Sequence, residues 1–279
     1  LIKNIYILIM KKNKFISERS SKGIRSINWI GVYTLFKREV ARFLKIHLQT
    51  IWGPALTTLL FLIVFALALG RATRLIQDIP FLEFLAPGLI VMAMIQNSFG
   101  NSSSSLLSAK VAGNIIDLLL PPLTSLEFAS AFLAGAICRG LLVGIAVSLL
   151  VVIFVPLTIY DSFLLIYFSF ISCSIMGLLG LLTGIIADKF DHVAAITNFI
   201  VVPLSLLSGT FYSISSLPGA FYLISQFNPF FYMIDGFRYS IIGYSDSNII
   251  LGGIILFMLN IILFILTIYI LKKGYRLKA

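Results

Sequence analysis

Charged residues are scarce in this sequence. Only 11% of its 279 residues are Asp, Glu, Lys or Arg, whereas a soluble domain carries about 25%. Apolar residues make up 59% of the chain, and its mean hydropathy is +1.03. This balance excludes an ordinary soluble domain and predicts an all-α integral membrane protein.

Residues that build catalytic, redox or metal sites are also few. The two cysteines, Cys138 and Cys173, fall in apolar runs, and His47 and His192 lie at the borders of such runs. Because no nucleophile–base set and no metal-ligand spacing is visible, we expect neither an enzyme nor a cofactor or metal centre. The phosphate-loop pattern G-x-x-x-x-G-K-[ST] is also missing from the sequence, which therefore offers no such ATP site.

Long apolar runs predict six transmembrane helices, because a span needs about 20 apolar residues. The predicted spans are 49–70, 84–105, 128–155, 162–187, 193–213 and 249–271. Before them, residues 30–47 predict an amphipathic helix suited to the headgroup layer. The chain thus divides into a basic segment 1–29, a six-span domain 30–271 and a basic tail 272–279. Residues 1–9 precede "MKKNK", which resembles a natural start, so we expect them to be foreign to the native protein.

Positive charges are distributed unevenly over the two sides of these spans. Seventeen of the 21 Lys and Arg residues flank the side that holds both termini, and the opposite side holds Arg71, Arg74 and Arg238. Basic residues mark cytoplasmic flanks, so both termini are predicted to be cytoplasmic in a bacterial-type inner membrane. This bias explains the net charge of +10 without a nucleic-acid partner.

Two features inside the spans leave alternatives open. Arg139 is the one charge at depth, and a structural arginine bonded to carbonyls or reaching the interface is favoured over a substrate site. Two small-residue pairs permit close helix packing, either within the chain or between two copies, and packing within the chain is favoured. These pairs are Gly140 with Gly144 and Gly180 with Gly184.

A polar stretch interrupts the apolar pattern on the predicted cytoplasmic side. "SAKVAGNIIDLLLPPLTSLE", residues 108–127, predicts a short helix over 108–120 that ends at Pro121 and Pro122. Its composition suits two roles equally, a connecting helix on the membrane surface or a docking element for a soluble partner.

A second unusual stretch, "FYSISSLPGAFYLISQFNPFFYMIDGFRYSIIG", lies before the last span on the predicted outer side. Pro218 and Pro229 each suit a helix start, so two short helices are predicted near 217–226 and 229–242, joined by Asn228. Each helix is too short to span the membrane, and we expect the pair to dip into its outer half and return.

Two opposite charges lie in the second of these short helices. Asp235 and Arg238 are three residues apart, so they share one helix face. Unpaired charges are costly in apolar surroundings, and we therefore predict that the two neutralise each other as a buried ion pair.

The two polar stretches together resemble the membrane subunit of the type-2 ATP-binding-cassette exporters. "GNIIDLLLPPLT" is similar to a cytoplasmic family motif, Gly-x-Ile-x-Asp-Leu-Leu ending near Pro, and "FNPFFYMIDGFRYSIIG" to the hallmark before the last span. The chain departs from the family pattern at two positions. Ile116 stands where family members often have an acidic residue, and Pro121 stands where they often have a small one. The resemblance extends from about residue 30 to the end.

The resemblance implies a division of labour. The 30–47 helix would be a connecting helix, and the 108–120 helix would couple to a separate ATPase through Lys110, Gly113, Asn114, Asp117, Leu118 and Leu119. The 217–242 pair would form a re-entrant outer gate containing Pro218, Asn228, Pro229, Asp235, Arg238, Tyr239 and Gly243. Two copies of the chain, two ATPases and membrane lipid would be its partners, with no cofactor in this subunit.

The sequence does not identify the cargo. The pathway is expected between the second and fifth spans, where "QNSFGNSSSS" is polar and "FIVVPLSLLSGTFY" is apolar with hydroxyls. This lining suits amphiphiles, lipid-linked glycans or drugs. The alternative function is a secondary transporter or channel that is not coupled to ATP. It is disfavoured because the acidic residues near the spans lie at their ends rather than at mid-membrane.

Overall fold

The computed structural model describes residues 27–69, 75–76 and 79–274. Most of the predicted basic N-terminal segment, Arg71, Arg74 and the last five residues of the tail lie outside these ranges. The described helices are α1 (Trp29–Leu44), α2 (Gly53–Leu69), α3 (Phe81–Val111), α4 (Ile115–Leu119), α5 (Ser125–Val151), α6 (Ser162–Ile186), α7 (Phe190–Ile196), α8 (Val202–Leu206), α9 (Gly219–Gln226), α10 (Pro229–Ile242) and α11 (Ile249–Lys273). Two short antiparallel strands, β1 (Leu75–Ile76) and β2 (Ile79–Pro80), pair with each other before α3.

Five helical segments of the described chain are long and apolar enough to cross a membrane. They are Leu48–Leu67, Phe81–Val111, Ser125–Val151, Ser162–Ile186 and Ile249–Lys273. They correspond to the first, second, third, fourth and sixth predicted spans, and they confirm the expectation of an all-α integral membrane protein.

The fifth predicted span, 193–213, differs from the prediction. Its apolar helix runs from Phe190 to Leu206, only 17 residues, and a π turn, Thr197–Val201, separates α7 from α8. Pro203 follows directly and has no N–H for the regular helical ladder, which explains the local change of winding. The same arrangement precedes α2, where a π turn, Leu48–Trp52, is followed by Pro54.

Helix α3 lies at the centre of the bundle, between α5 and α6. The glycine pairs of both neighbouring helices face it: a Cβ atom on Gly180 would lie 2.3 Å from the Phe99 carbonyl oxygen, and one on Gly140 only 2.0 Å from Ser98 Oγ. The backbones therefore approach too closely for any side chain at these positions. The favoured interpretation, that the glycines pack within the chain, is confirmed.

The amphipathic helix α1 is joined to the start of α5 by Glu127. One carboxylate oxygen of Glu127 accepts from the Asn28 backbone N–H at 2.6 Å, and the other from the Thr124 backbone N–H at 2.7 Å. Asn28 in turn caps α1 by accepting from Gly31 N–H at 2.9 Å. A single carboxylate therefore fixes the entry of two helices.

The helix termini group at two ends of the bundle. The basic end contains α1, α4, the start of α5 and the last turns of α6 and α11, whose side chains share one apolar cluster. The opposite end contains α9, α10 and the connections before α3, α6 and α11: α9 contacts α10, the Phe84 ring packs against Tyr244, and the Ser240 carbonyl accepts from Tyr160 N–H.

Candidate functional site

Helix α4 at the basic end is anchored on one side and exposed on the other. Ile115 and Leu118 are buried in the apolar cluster of this end, whereas Ile116, Leu119 and Leu120 project outward, the last with 71% of its surface exposed. These three apolar side chains and the neighbouring Asp117, which is also exposed, form a protruding surface. We call these four residues the α4 surface.

The predicted helix over 108–120 is wrong in its extent. Residues 108–111 continue the long helix α3, a turn follows, and α4 has only five residues. Gly113 occupies this turn with φ of 75°, a left-handed conformation that favours glycine. Asn114 precedes α4 without a capping bond from its side chain, and Pro121 and Pro122 follow α4 as expected.

Lys110 contacts the neighbouring helix rather than the exterior. Its ammonium donates to the carbonyls of Ile185 at 2.8 Å and Ala187 at 2.6 Å, at the end of α6, and lies 3.8 Å from Asp188. A cation at a helix C-terminus satisfies carbonyls that lack intrahelical partners and complements the helix dipole. Lys110 therefore ties the base of the α4 surface to α6.

A groove separates α1 from the α4 surface. Its volume is about 580 Å³, and its walls include Arg38 from α1, Asp117 from α4, and Asn114 and Pro121 on either side of α4. Arg38 and Asp117 provide opposite charges on facing walls. The elements that the resemblance identifies as the connecting helix and the ATPase-coupling helix thus border a single cleft.

At the opposite end, the prediction that Asp235 and Arg238 form an ion pair is wrong, because each side chain bonds to other residues. Asp235 accepts from the backbone N–H of Asp246 at 2.9 Å and of Ser247 at 3.0 Å, and from the Ser247 hydroxyl at 2.6 Å. The two charges attract each other only through space. Backbone donors from the turn before α11 can satisfy a buried carboxylate as well as a guanidinium can.

Arg238 is bonded to backbone carbonyls and to an aromatic ring. Its Nε donates to the Phe84 carbonyl at 3.2 Å and its Nη2 to the Gly209 carbonyl at 2.7 Å. The guanidinium also lies 3.8 Å from the centroid of the Phe84 ring. One buried side chain thus joins α10 to α3 and to the turn after α8.

The ends of α10 are fixed by residues that the sequence singled out. Asn228 caps α10 by accepting from Phe230 N–H at 3.0 Å and also donates to the Leu204 carbonyl at 2.9 Å, with Pro229 in the first turn. Gly243 ends the helix at φ of 72°, and its amide donates to the Tyr239 carbonyl. The Tyr239 ring packs against Tyr160. Pro218 precedes α9 as its N-cap.

Asp246 is a site residue that the sequence analysis missed. Its carboxylate accepts from the hydroxyls of Ser213 and Tyr244 and from Ile214 N–H. Burial, together with this bond to Asp246, raises the pKa of the Tyr244 hydroxyl. The sequence does not distinguish Asp246, because Ser213 and Ile214, the partners that tie it to another part of the chain, lie more than 30 residues away.

A second missed group lies inside the bundle. Glu39 of α1 is fully buried; it accepts from Ser105 Oγ at 2.8 Å and lies 3.4 Å from Arg42. Arg42 donates to Asn101, to the carbonyl and the side-chain oxygen, both at 2.9 Å. The sequence did contain a signal for this group. Glu39 lies on the same helix face as Leu35 and Phe43, and it is the one charged residue in that apolar row.

Arg139 of α5 completes this group. Its Nη2 donates to Asn97 Oδ1 at 3.0 Å, and Asn97 lies one turn from Asn101 on α3. We call Glu39, Arg42, Asn97, Asn101 and Arg139 the polar layer. The expectation of carbonyl bonds for Arg139 is not met, since its described bond is to a side-chain amide.

Comparison with known proteins identifies the family of the chain. Residues 31–242 match the model of the family described as "ABC-2 type transporter". The chain is 30% identical over 251 residues, 90% of this chain and 98% of each relative, to the "Inner membrane transport permease YadH" of Escherichia coli K12 and of Shigella flexneri. The matched region contains α4, α10 and the polar layer, and the chain belongs to the ABC-2 type transporter family.

Proposed function

We propose that this transporter permease subunit exports its substrate with energy from a separate ABC ATPase, which docks on the α4 surface. The observation that carries the proposal is the placement of α4, anchored by Ile115 and Leu118 while three apolar side chains stay uncovered beside a charged groove. An exposed apolar patch rimmed by polar residues is typical of a protein-binding site.

The contacts of the α4 surface favour a mechanical role. A force applied to α4 reaches α3 through the short turn at Gly113 and reaches α6 through Lys110. Both helices are spans at the centre of the bundle. Rotation of docked ATPases would therefore bias the arrangement of the spans directly, with Asn114, Asp117 and Leu119 as contact residues.

The α9–α10 pair would be the gate at the opposite end. Its helices have eight and 14 residues and are too short to span. Asp235, Arg238 and Asn228 fix α10 to three other parts of the chain. A broken backbone at membrane depth needs this internal satisfaction of its polar groups.

The complex would contain two permease chains and two ATPases in a bacterial inner membrane, surrounded by lipid. Both termini would be cytoplasmic, since the basic end carries α1 and the lysines that end α11. The name of the YadH relatives supports the inner-membrane location.

Asp117→Lys tests the docking proposal. The tagged chain is coexpressed with each ABC ATPase of its own genome, and retention of the ATPase and ATP hydrolysis by the purified complex are measured. We expect reversal of this charge to weaken retention at least tenfold, because like charges across an interface cost several kcal/mol. Asp191→Lys, at an exposed acid of the same end, is the matched control and should retain the ATPase.

The competing function, a transporter or channel without ATP coupling, gives different results. No ATPase would be retained by the wild-type chain, and substrate flux in vesicles would continue without ATP. Either retention that Asp117→Lys leaves unchanged or flux independent of ATP would contradict the proposal.

A further inference from the structure

We propose that the polar layer binds the anionic headgroup, a phosphate or carboxylate, of an amphiphilic substrate. This inference rests on the proposed function, since it names the class of substrate that the permease would carry. The observations that carry it are the charges of the layer, its unpartnered donors and its open side.

The polar layer holds one more positive charge than negative. Glu39 compensates Arg42, which lies 3.4 Å away. Arg139 forms no salt bridge with any described carboxylate, and the nearby charge that acts on it is Arg42, which repels it. It also lies near the middle of α5, a candidate span. A charge at this depth is stable only when it is paired, so an anion is the missing component.

The same side chains have donors without acceptors. The Nε atoms of Arg42 and Arg139 and the Nδ2 atom of Asn101 are buried and lack a hydrogen-bond partner within the described chain. All three groups can only donate. Unpaired buried donors are costly, and an oxygen-rich anion would satisfy several of them together.

The polar layer is open along one edge. Gly100 lies between Asn97 and Asn101 on α3, and a Cβ atom added there would meet nothing within 4 Å. Asn97 and Arg139 are only partly buried, and 30% of the Arg42 side chain is exposed. The layer therefore has an open edge beside Gly100, and its three enclosed donors become reachable when the partly exposed arginine side chains reorient.

The position of the layer selects the kind of anion. Two of the three helices that form the layer, α3 and α5, are candidate spans, so a ligand that enters between them from the side needs an apolar part that suits the bilayer. Two guanidinium groups favour an oxyanion with several acceptors, because arginine binds phosphates and carboxylates through paired donors. An anionic amphiphile meets both conditions, whereas a neutral glycan or a cationic drug does not.

The test uses the full chain in nanodiscs of neutral lipid and radiolabelled dodecyl phosphate as the probe. Competition by dodecyl maltoside tests the charge, and competition by inorganic phosphate tests the need for a tail. We expect unlabelled dodecyl phosphate to displace the probe at a concentration at least tenfold lower than dodecyl maltoside or inorganic phosphate. Arg139→Gln should weaken binding of the probe about tenfold to a hundredfold. Lys37→Gln, which removes an exposed charge from α1, should leave binding unchanged.

Asn97→Asp separates a binding role from a structural one. This nearly isosteric change places a carboxylate 3.0 Å from the Arg139 guanidinium. We expect it to raise thermal stability and to abolish dodecyl phosphate binding, since the protein then supplies its own anion. Unchanged binding in Asn97→Asp or in folded Arg139→Gln would overturn the proposal, as would equal competition by inorganic phosphate or dodecyl maltoside.

Failure of this inference is distinguishable from failure of the proposed function. Absence of anion binding in a chain that still retains its ATPase through Asp117 would reject the substrate class alone. Binding that depends on Arg139 in a chain that retains no ATPase would reject ATP coupling and leave the anion site in place.

Discussion

Arg238 and Arg139 both lie within the apolar body of this protein, and their surroundings differ. Arg238 donates to two backbone carbonyls and covers an aromatic ring, and 1% of its surface is exposed. Arg139 donates to one side-chain amide, is only partly buried, and has an unpartnered Nε. The first arginine has its partners within the chain, whereas the second keeps a donor that no described residue satisfies.

The packing around the two arginines differs in the same way. Gly236, two residues from Arg238, faces Phe168 so closely that an added Cβ would lie 2.2 Å from the ring. Gly100, three residues from the Asn97 partner of Arg139, faces open space. A closed region around a satisfied charge indicates a structural role, and an open region around an unsatisfied charge indicates binding.

Arg238→Met should have the largest effect on stability. It removes the guanidinium donors to the carbonyls of Phe84 and Gly209, and a buried polar group left unpaired costs about 1–3 kcal/mol. We expect a loss of folded protein, measured by size-exclusion yield and thermal unfolding in detergent. Adding Asp235→Leu should not restore it, because the carboxylate has its own donors. A rescue by the double variant would mean that the two charges pair after all.

Gly236→Ala should have the next largest effect. The buried Phe168 ring must move to admit the methyl group, and overpacking of this kind costs about 1–3 kcal/mol. The free energy of unfolding in detergent would measure the loss. An unchanged value would show that the region around Arg238 is less closely packed than its distances indicate.

Arg139→Met should change stability by no more than about 1 kcal/mol, since one hydrogen bond to an amide is lost and an uncompensated charge is removed. The measurement is the free energy of unfolding in detergent, compared with that of Arg238→Met under the same conditions. A loss as large as that of Arg238→Met would give Arg139 a structural role and remove the contrast between the two arginines.

Gly100→Ala should have the smallest effect, with the opposite sign. Alanine is favoured over glycine within a helix by about 1 kcal/mol, and the added methyl group meets no neighbour in the chain. We expect a small increase in thermal stability of the isolated chain. A marked decrease would show that another group already occupies the open side of the polar layer.

Much of the fold follows from the sequence. Long apolar runs, prolines and glycines determine where helices begin and end, so five spans, the amphipathic α1, and the short helices α9 and α10 are predicted with bounds close to the observed ones. The membrane makes this possible, because a backbone in hydrocarbon must satisfy its polar groups within each helix. The exceptions are the shortened fifth span, whose helix ends just before Gly209 with φ of 77°, and the division of 108–120 at Gly113 with φ of 75°.

The partners of the polar side chains were decided by the tertiary structure alone. Asp235 and Arg238 have the spacing of an ion pair, yet loop amides and carbonyls from distant parts of the chain reach them first. Glu39, Arg42 and Arg139 come from two helices that meet only in the folded bundle, around asparagines of a third. Helical periodicity fixes which face a side chain occupies, but what that face meets depends on packing between helices that are far apart in sequence.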